Sequence, residues 1–323
     1  MQDIKTYQYN SCLAPFMQGL VAEKRALGFI YNTDAYELHR FDMYWCRNGN
    51  GTVDFTYEQI SGWLARRKVE CRDLHGRRIR VVRMLARYMN SLGRKCHVPV
   101  DNAGRDTPVV HILSNQELQS FFHRLDMYSP RPYKRLAMEY PVMFRIIYCC
   151  GLRNGEACAL KTGDVDIERG IIKIWHGKGN KSRLIYLPDD LKALCACYYK
   201  ELSRRLGFEP YWFFPASLPD RRMSRSYLNK VFTRVWSSLP CANACEKKPT
   251  IHCLRHTFVV NRINSWVLGG IDLNVMLPYL SKHLGHKGMD ETLYYYHQVD
   301  DAFRIVREKD TIANDVIPEV KRR

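Results

Sequence analysis

The stretch GIIKIWHGKGNKSRLIYLP, residues 170–188, decides the fold class. Ile, Trp and Tyr flank a Gly-Lys-Gly-Asn turn, the composition of two short strands joined as a hairpin. On both sides the periodicity changes to that of helices. Long helices are expected over 134–150 and 189–206, and helices resume near Ser224, at His252 and beyond Pro278. The expected fold is therefore mainly α with a small antiparallel β-sheet.

Working back towards the N-terminus, LSNQELQSFF carries Ser114 and Glu117 at capping-box spacing and opens this mixed domain. Before it, KCHVPVDNAGRDTPVVH (95–111) lacks helical periodicity, and its Pro, Gly, Asn and Asp read as a linker. Residues 1–95 read as a compact helical bundle. CLAPFMQGLVAEKRALGF ends near Gly28, TDAYELHRFDMYWCRNGNG starts at a Thr33 cap, TYEQISGWLARRK has a Thr56/Gln59 capping box, and RRIRVVRMLARYMNSLGR is the fourth helix. The expected division is 1–95 bundle, 96–111 linker, 112–305 second domain and 306–323 C-terminal tail.

The 323 residues carry a formal net charge of +17, which folding does not require and which points to a polyanionic partner, nucleic acid before membrane. Between Gly62 and Lys95 there are eleven Lys/Arg against two acids. Arg80, Arg83 and Arg87 share one face of the fourth helix, while Val81, Leu85 and Tyr88 share another. Arg66, Arg67, Lys68, Arg77, Arg78, Arg80, Arg83 and Arg87 are the expected DNA contacts, through phosphates. No run of 18 apolar residues exists and the N-terminus lacks a secretory pattern, so a cytoplasmic, nucleoid-associated protein with no membrane span is expected. The twelve cysteines lie singly or within apolar helical patterns, as small buried hydrophobes. In CANACEKKPTIHC, Cys241, Cys245, His252 and Cys253 suggest zinc, but the spacing is loose and His252 has another use. No metal and no cofactor are expected.

Four motifs carry chemistry. In CGLRNGEACALKTGDVD, Glu156 lies three residues after Arg153 and braces its guanidinium; alone, such a pair reads equally as structural or functional. In HCLRHTF, His252 and Arg255 share a helix face. A cation beside a histidine disfavours a metal and suits an anion, and two arginines with a histidine could cradle one phosphate. Lys178 at the hairpin tip is either a solvated surface residue or a cation that swings into a groove. In LGHKGMDETLYYYH, His286 precedes three tyrosines, of which one could be reactive.

Together Arg153 in GLRNGE, Lys178 in GKGNKSR, His252 and Arg255 in HCLRHTF, His286 in LGH and a tyrosine nine residues later resemble the tyrosine recombinase (phage integrase) signature. The resemblance covers about 110–305 by motif, and more weakly the family's core-binding domain ahead of it. It selects Tyr295, nine residues past His286 and two before His297, as nucleophile; Tyr294 and Tyr296 point about 100° away along a helix.

The resemblance implies transesterification on double-stranded DNA through a 3′-phosphotyrosyl link, with neither ATP nor metal. A phenol is largely protonated at neutral pH, so attack needs a proton acceptor, His252, helped by His286. Lys178 would protonate the leaving 5′-oxygen, Arg153 and Arg255 would stabilise the charge on phosphorus, Glu156 would orient Arg153, and His286 would hydrogen-bond the phosphate. It further implies a homo-tetramer on two duplexes, with or without related recombinases or accessory proteins. The C-terminal segment after Tyr295, with Val299, Phe303 and Val306 on one face, would be exchanged between protomers, and the role would be integration, excision or transposition of a mobile element. Residues 263–280 depart from the pattern by lengthening the step from Arg255 to His286 to 31 residues. A type IB topoisomerase and a non-catalytic DNA-binding regulator are the alternatives; a metal-dependent nuclease is disfavoured by the missing carboxylate cluster.

Overall fold

The computed structural model describes residues 4–100, 103–104, 110–130, 132–175, 182–245, 247–286 and 288–296. The chain divides into two compact units, Met1–Pro108 and Val109–Arg323. Among the described residues helix dominates and the strands form one small sheet. No helix there is long and apolar enough to cross a membrane.

The first unit is a helical bundle of α1 (Ala14–Ala26), α2 (Asn32–Asn48), α3 (Tyr57–Leu64) and α4 (Arg72–Ser91). The α3 capping box forms as expected, with the Thr56 amide donating to Gln59 Oε1 at 2.9 Å. Two boundaries differ from expectation. Helix α2 starts at Asn32, behind Tyr31 in the left-handed region at φ 55°, so Thr33 is not the cap. Helix α4 starts five residues before Arg77, at Arg72. Phe41, Trp45, Phe55 and Trp63 interlock at the centre, with Phe41 and Trp63 ring centroids 5.3 Å apart. Ile79, Val82, Leu85 and Met89 of α4 close over them.

This packing corrects one expected DNA contact. Arg78 is fully buried; its Nε and Nη2 bind the Glu70 carboxylate at 2.7 and 2.6 Å, Nη2 also donates to Ala65 O, and Nη1 to Trp63 O. The reason is helical phase. Residue 78 falls with Val82 and Leu85 on the core side, away from the Arg80, Arg83 and Arg87 stripe. Arg66, Arg67, Lys68, Arg80 and Arg87 are exposed, while Arg77 and Arg83 are half-buried. Some of these have partners within the unit: Arg80 pairs with Asp34 at 2.5 Å, and Arg83 Nε donates to Pro99 O at 2.6 Å.

The second unit runs α5 (Asn115–Asp126), α6 (Leu136–Cys149), α7 (Asn154–Ala157), β1 (Val165–Asp166), β2 (Ile171–Ile174), β3 (Arg183–Tyr186), α8 (Asp189–Leu206), α9 (Arg225–Ser237), α10 (Ile251–Leu268), α11 (Leu273–Leu284) and α12 (Asp290–Tyr296). The expected hairpin is β2–β3, antiparallel, with Ile172 opposite Ile185 and Ile174 opposite Arg183. Ile172 and Ile185 are buried, whereas Leu184 and Tyr186 face outward, the period-2 alternation of a sheet with one packed face. Strand β1, only two residues long, pairs on the far side of β2 and was too short to show in the sequence pattern. The hairpin tip, 176–181, lies outside the described residues.

Ser114 and Glu117 make the expected capping box: the Ser114 amide donates to Glu117 Oε2 at 2.8 Å and the Glu117 amide to Ser114 Oγ at 3.2 Å. Pro278 falls inside α11 rather than before it. The helix begins where Asp272 Oδ1 accepts the Asn274 amide at 2.8 Å. The long step 263–280 is therefore the end of α10, a Gly269-Gly270 turn and the first half of α11. The large core packs α5, α6, α8 and α9 against the sheet. A smaller cluster joins α10, α11 and α12 through Phe258, Val260, Ile263, Leu277, Leu284 and Tyr295.

Candidate active site

The site begins where α6 ends. Gly151 sits at φ +60°, and a Cβ there would lie 2.6 Å from Phe258 Cδ1, so both the backbone and the packing demand glycine. The turn delivers Arg153 to the start of α7. The Arg153 amide donates to Glu156 Oε2 and its Nη1 to Oε1, each at 2.9 Å. Arg183, the first residue of β3, binds the same carboxylate at 3.0 and 2.8 Å. Burial alone would raise the Glu156 carboxyl, but Arg183 and then Arg153 outweigh it and hold the group down at about 2. Glu156 thus serves two guanidiniums.

The end of α11 supplies the other wall. Its last carbonyls lack helical partners, and a helix C-terminus attracts cations. Three successive carbonyls accept from three different arginines: His283 O from Arg183 Nε at 2.6 Å, Leu284 O from Arg255 Nη2 at 2.7 Å, and Gly285 O from Arg153 Nη2 at 3.3 Å. Gly285 closes the helix at φ +66°. His283 Nε2 lies 3.0 Å from Cys150 O and donates to it, and burial pushes its pKa down.

Arg255, on α10, is fully buried between these walls. Its Nη1 donates to Gly151 O at 2.5 Å, and its Nη2 lies 3.0 Å from His286 Nε2. Burial, then the neighbouring charge of Arg153, lowers its pKa to about 10. His286 Nδ1 is 2.7 Å from Thr292 Oγ1. The Tyr295 ring stacks on His286 at 5.7 Å with an 8° interplanar angle. On another side it meets His256, 4.4 Å away, whose ring touches His252 at 4.5 Å. Burial, followed by His252, Arg255 and His286, lowers His256 to about 3, so it is neutral at pH 7.

The structure thus gathers Arg153, Glu156, Arg255, His286 and Tyr295, with His252 exposed in the first turn of α10 and reaching the group through His256. Tyr294 is exposed, with its ring 6.1 Å from that of Tyr295. Lys178, His297 and the tail from 297 onward lie outside the described residues. Sequence reasoning missed four members: Arg183, His256, His283 and Thr292. Arg183 was quoted within its motif without a role, and His283 had a signal, as a ring donor in the last turn of a helix, where carbonyls lack partners.

Residues 111–302 match the model of the phage integrase family. The chain belongs to that family. As a tyrosine recombinase it is an enzyme that breaks and rejoins DNA. The chain is 26% identical over 291 residues to y4rB of Sinorhizobium fredii, by name an integrase/recombinase, covering 86% of this chain and 90% of that protein. It is 31% identical over 151 residues to the tyrosine recombinase XerA of Pyrococcus furiosus, a match that spans about half of each chain, 46% and 47%. Its fold is similar to that of XerH site-specific recombinase bound to palindromic difH substrate. The TM-score is 0.66 at 19% identity, covering 91% of this chain and 83% of that one.

Proposed function

We propose that this recombinase cuts one strand at a specific site by attack of Tyr295 Oη on a scissile phosphate. An O–P bond to the tyrosine forms, the bond from phosphorus to the 5′-oxygen breaks, and the 3′-phosphotyrosyl link is later reversed by a 5′-hydroxyl from a partner strand. His252 takes the phenol proton. Lys178 protonates the leaving oxygen. Arg153 and Arg255 hold the nonbridging oxygens, where water exclusion strengthens each charge-assisted hydrogen bond. Glu156, shared by Arg153 and Arg183, fixes Arg153. His256 packs against Tyr295, and burial disfavours its protonated form, so its assigned role is to position the ring.

The observation that carries this reading is the stack of Tyr295 on His286, itself bonded to the buried Arg255. It supports the choice of Tyr295, whose ring lies one side chain, His286, away from Arg255, over the exposed Tyr294. The basic stripe Arg80, Arg83 and Arg87, with Arg66, Arg67, Lys68 and Arg77, is proposed to track the duplex backbone. Four protomers on two duplexes, and a role in moving a genetic element, complete the proposal; the integrase/recombinase name of the Sinorhizobium relative supports the latter. A nicked suicide substrate tests the chemistry, since it traps a covalent adduct that Tyr295→Phe must abolish. Strand exchange between two duplexes, rather than relaxation of one, tests the recombinase role against a topoisomerase.

A further inference from the structure

Away from the arginine cluster, three side chains from three chain segments converge. His111 leads into α5, Glu117 lies in its first turn, and Cys245 follows the short turn Pro240–Asn243. His111 Nε2 is 3.0 Å from Glu117 Oε1, and Cys245 Sγ is 3.8 Å from that nitrogen and 3.9 Å from that oxygen. We propose that His111, Glu117 and Cys245 form a zinc site.

The donor set is nitrogen, carboxylate oxygen and sulfur, the mixture zinc accepts. With Zn–N and Zn–O near 2.0 Å and Zn–S near 2.3 Å, tetrahedral donors lie ~3.3–3.6 Å apart. The three separations depart from that by a few tenths of an ångström. Glu117 is also held from behind, as zinc ligands are. Glu117 Oε2 is fixed by the Ser114 amide at 2.8 Å and hydroxyl at 3.0 Å, which aims Oε1 at the cluster. The Trp236 ring packs edge-on against His111 at 5.8 Å. All three ligands are half-buried, which leaves a fourth position for water.

Among the described residues Cys241, Cys245, His252 and Cys253 do not gather at one point. Cys253 is buried and its sulfur accepts the Thr250 amide at 3.3 Å, while His252 faces the tyrosine cluster through His256. No local spacing reveals this set, because His111 and Glu117 lie more than 120 residues from Cys245 along the chain. Cys245 stands five residues before Thr250, the N-cap of α10. Zinc would therefore tie the approach to α10, which carries His252 and Arg255, onto the start of α5. It would stabilise the unit and take no part in strand transfer.

The test uses the full-length protein, stripped with chelator and titrated with cobalt(II). One equivalent should bring up a thiolate-to-cobalt charge-transfer band and the visible bands of tetrahedral cobalt, and one equivalent of zinc should abolish them and raise the melting temperature. Cys245→Ser should remove the charge-transfer band, and Cys253→Ser should keep it. Glu117→Gln retains an oxygen for the helix cap, so it separates ligand loss from misfolding, and it should weaken cobalt at least tenfold. Absence of the thiolate band in the wild-type protein, its survival in Cys245→Ser, or undiminished affinity in Glu117→Gln would overturn the proposal. No DNA is present, so failure here leaves the recombinase reading untouched.

Discussion

Arg255 Nη2 donates to His286 Nε2 over 3.0 Å. A guanidinium has no acceptor, so His286 must accept there and carry its proton on Nδ1, which donates to Thr292 Oγ1. The tautomer of His286 is therefore set by a partner on each side. Arg255→Lys offers one ammonium where Gly151 O, Leu284 O and His286 Nε2 now receive a fork. The expected result is a loss of strand cleavage of about 10²–10³-fold, as for removal of a donor to transition-state charge. Single-turnover cleavage measures it, and a variant within threefold of wild type would contradict the role.

Gly151→Ala should destabilise the second unit. The left-handed φ and the contact with Phe258 act together, and overpacking alone costs about 1–3 kcal/mol. Thermal unfolding of the variant would show a lower midpoint. An unchanged midpoint would mean that the 150–153 corner is not built as described.

Acid should unfold the site in two overlapping windows. His256 binds a proton below about 3 in the folded chain against 6.5 in the reference state, and Glu156 below about 2 against 4.5. In each window the unfolded chain holds more protons, so stability is full above the upper value and falls as pH drops towards the lower one. The slope is up to ~1.4 kcal/mol per pH unit for each group. Denaturant midpoints from pH 7 to pH 3 should decline, and His256→Asn should flatten the part between pH 6.5 and 4.5. An equally steep decline in that variant would assign the acid sensitivity elsewhere.

Arg78 and Arg87 should part company on substitution, although both lie on α4 of the basic bundle. Arg78→Ala strips a buried carboxylate of its partner, a change that typically costs about 3–5 kcal/mol. Arg87→Ala should leave stability alone, weaken binding to any duplex and lower the slope of log affinity against log salt by about 1. Unfolding curves and binding at several salt concentrations distinguish them. A normal salt slope in Arg87→Ala would remove that residue from the proposed DNA face.

Much of this was legible in the sequence. The β2–β3 hairpin, helix α8 and the two capping boxes follow from local pattern, because turn chemistry, periodicity and caps act over a few residues. Count and order of motifs pointed to Arg153, Arg255, His286 and Tyr295, which the fold brings together. What was not legible depends on contacts across long separations. Nothing local says that Arg183 shares Glu156 with Arg153, or that three arginines meet the carbonyls of residues 283–285. Arg78 misled for the converse reason: in a run of arginines, composition outweighed helical phase, and phase decides which one is buried.

In the proposed mechanism one phenol of three does the chemistry. On a nicked suicide substrate, the wild-type protein, Tyr294→Phe and Tyr296→Phe should each form a covalent protein–DNA adduct, and Tyr295→Phe should form none. An adduct that persists in Tyr295→Phe, or that vanishes in Tyr294→Phe or Tyr296→Phe while Tyr295→Phe retains it, would mean that Tyr295 is not the nucleophile.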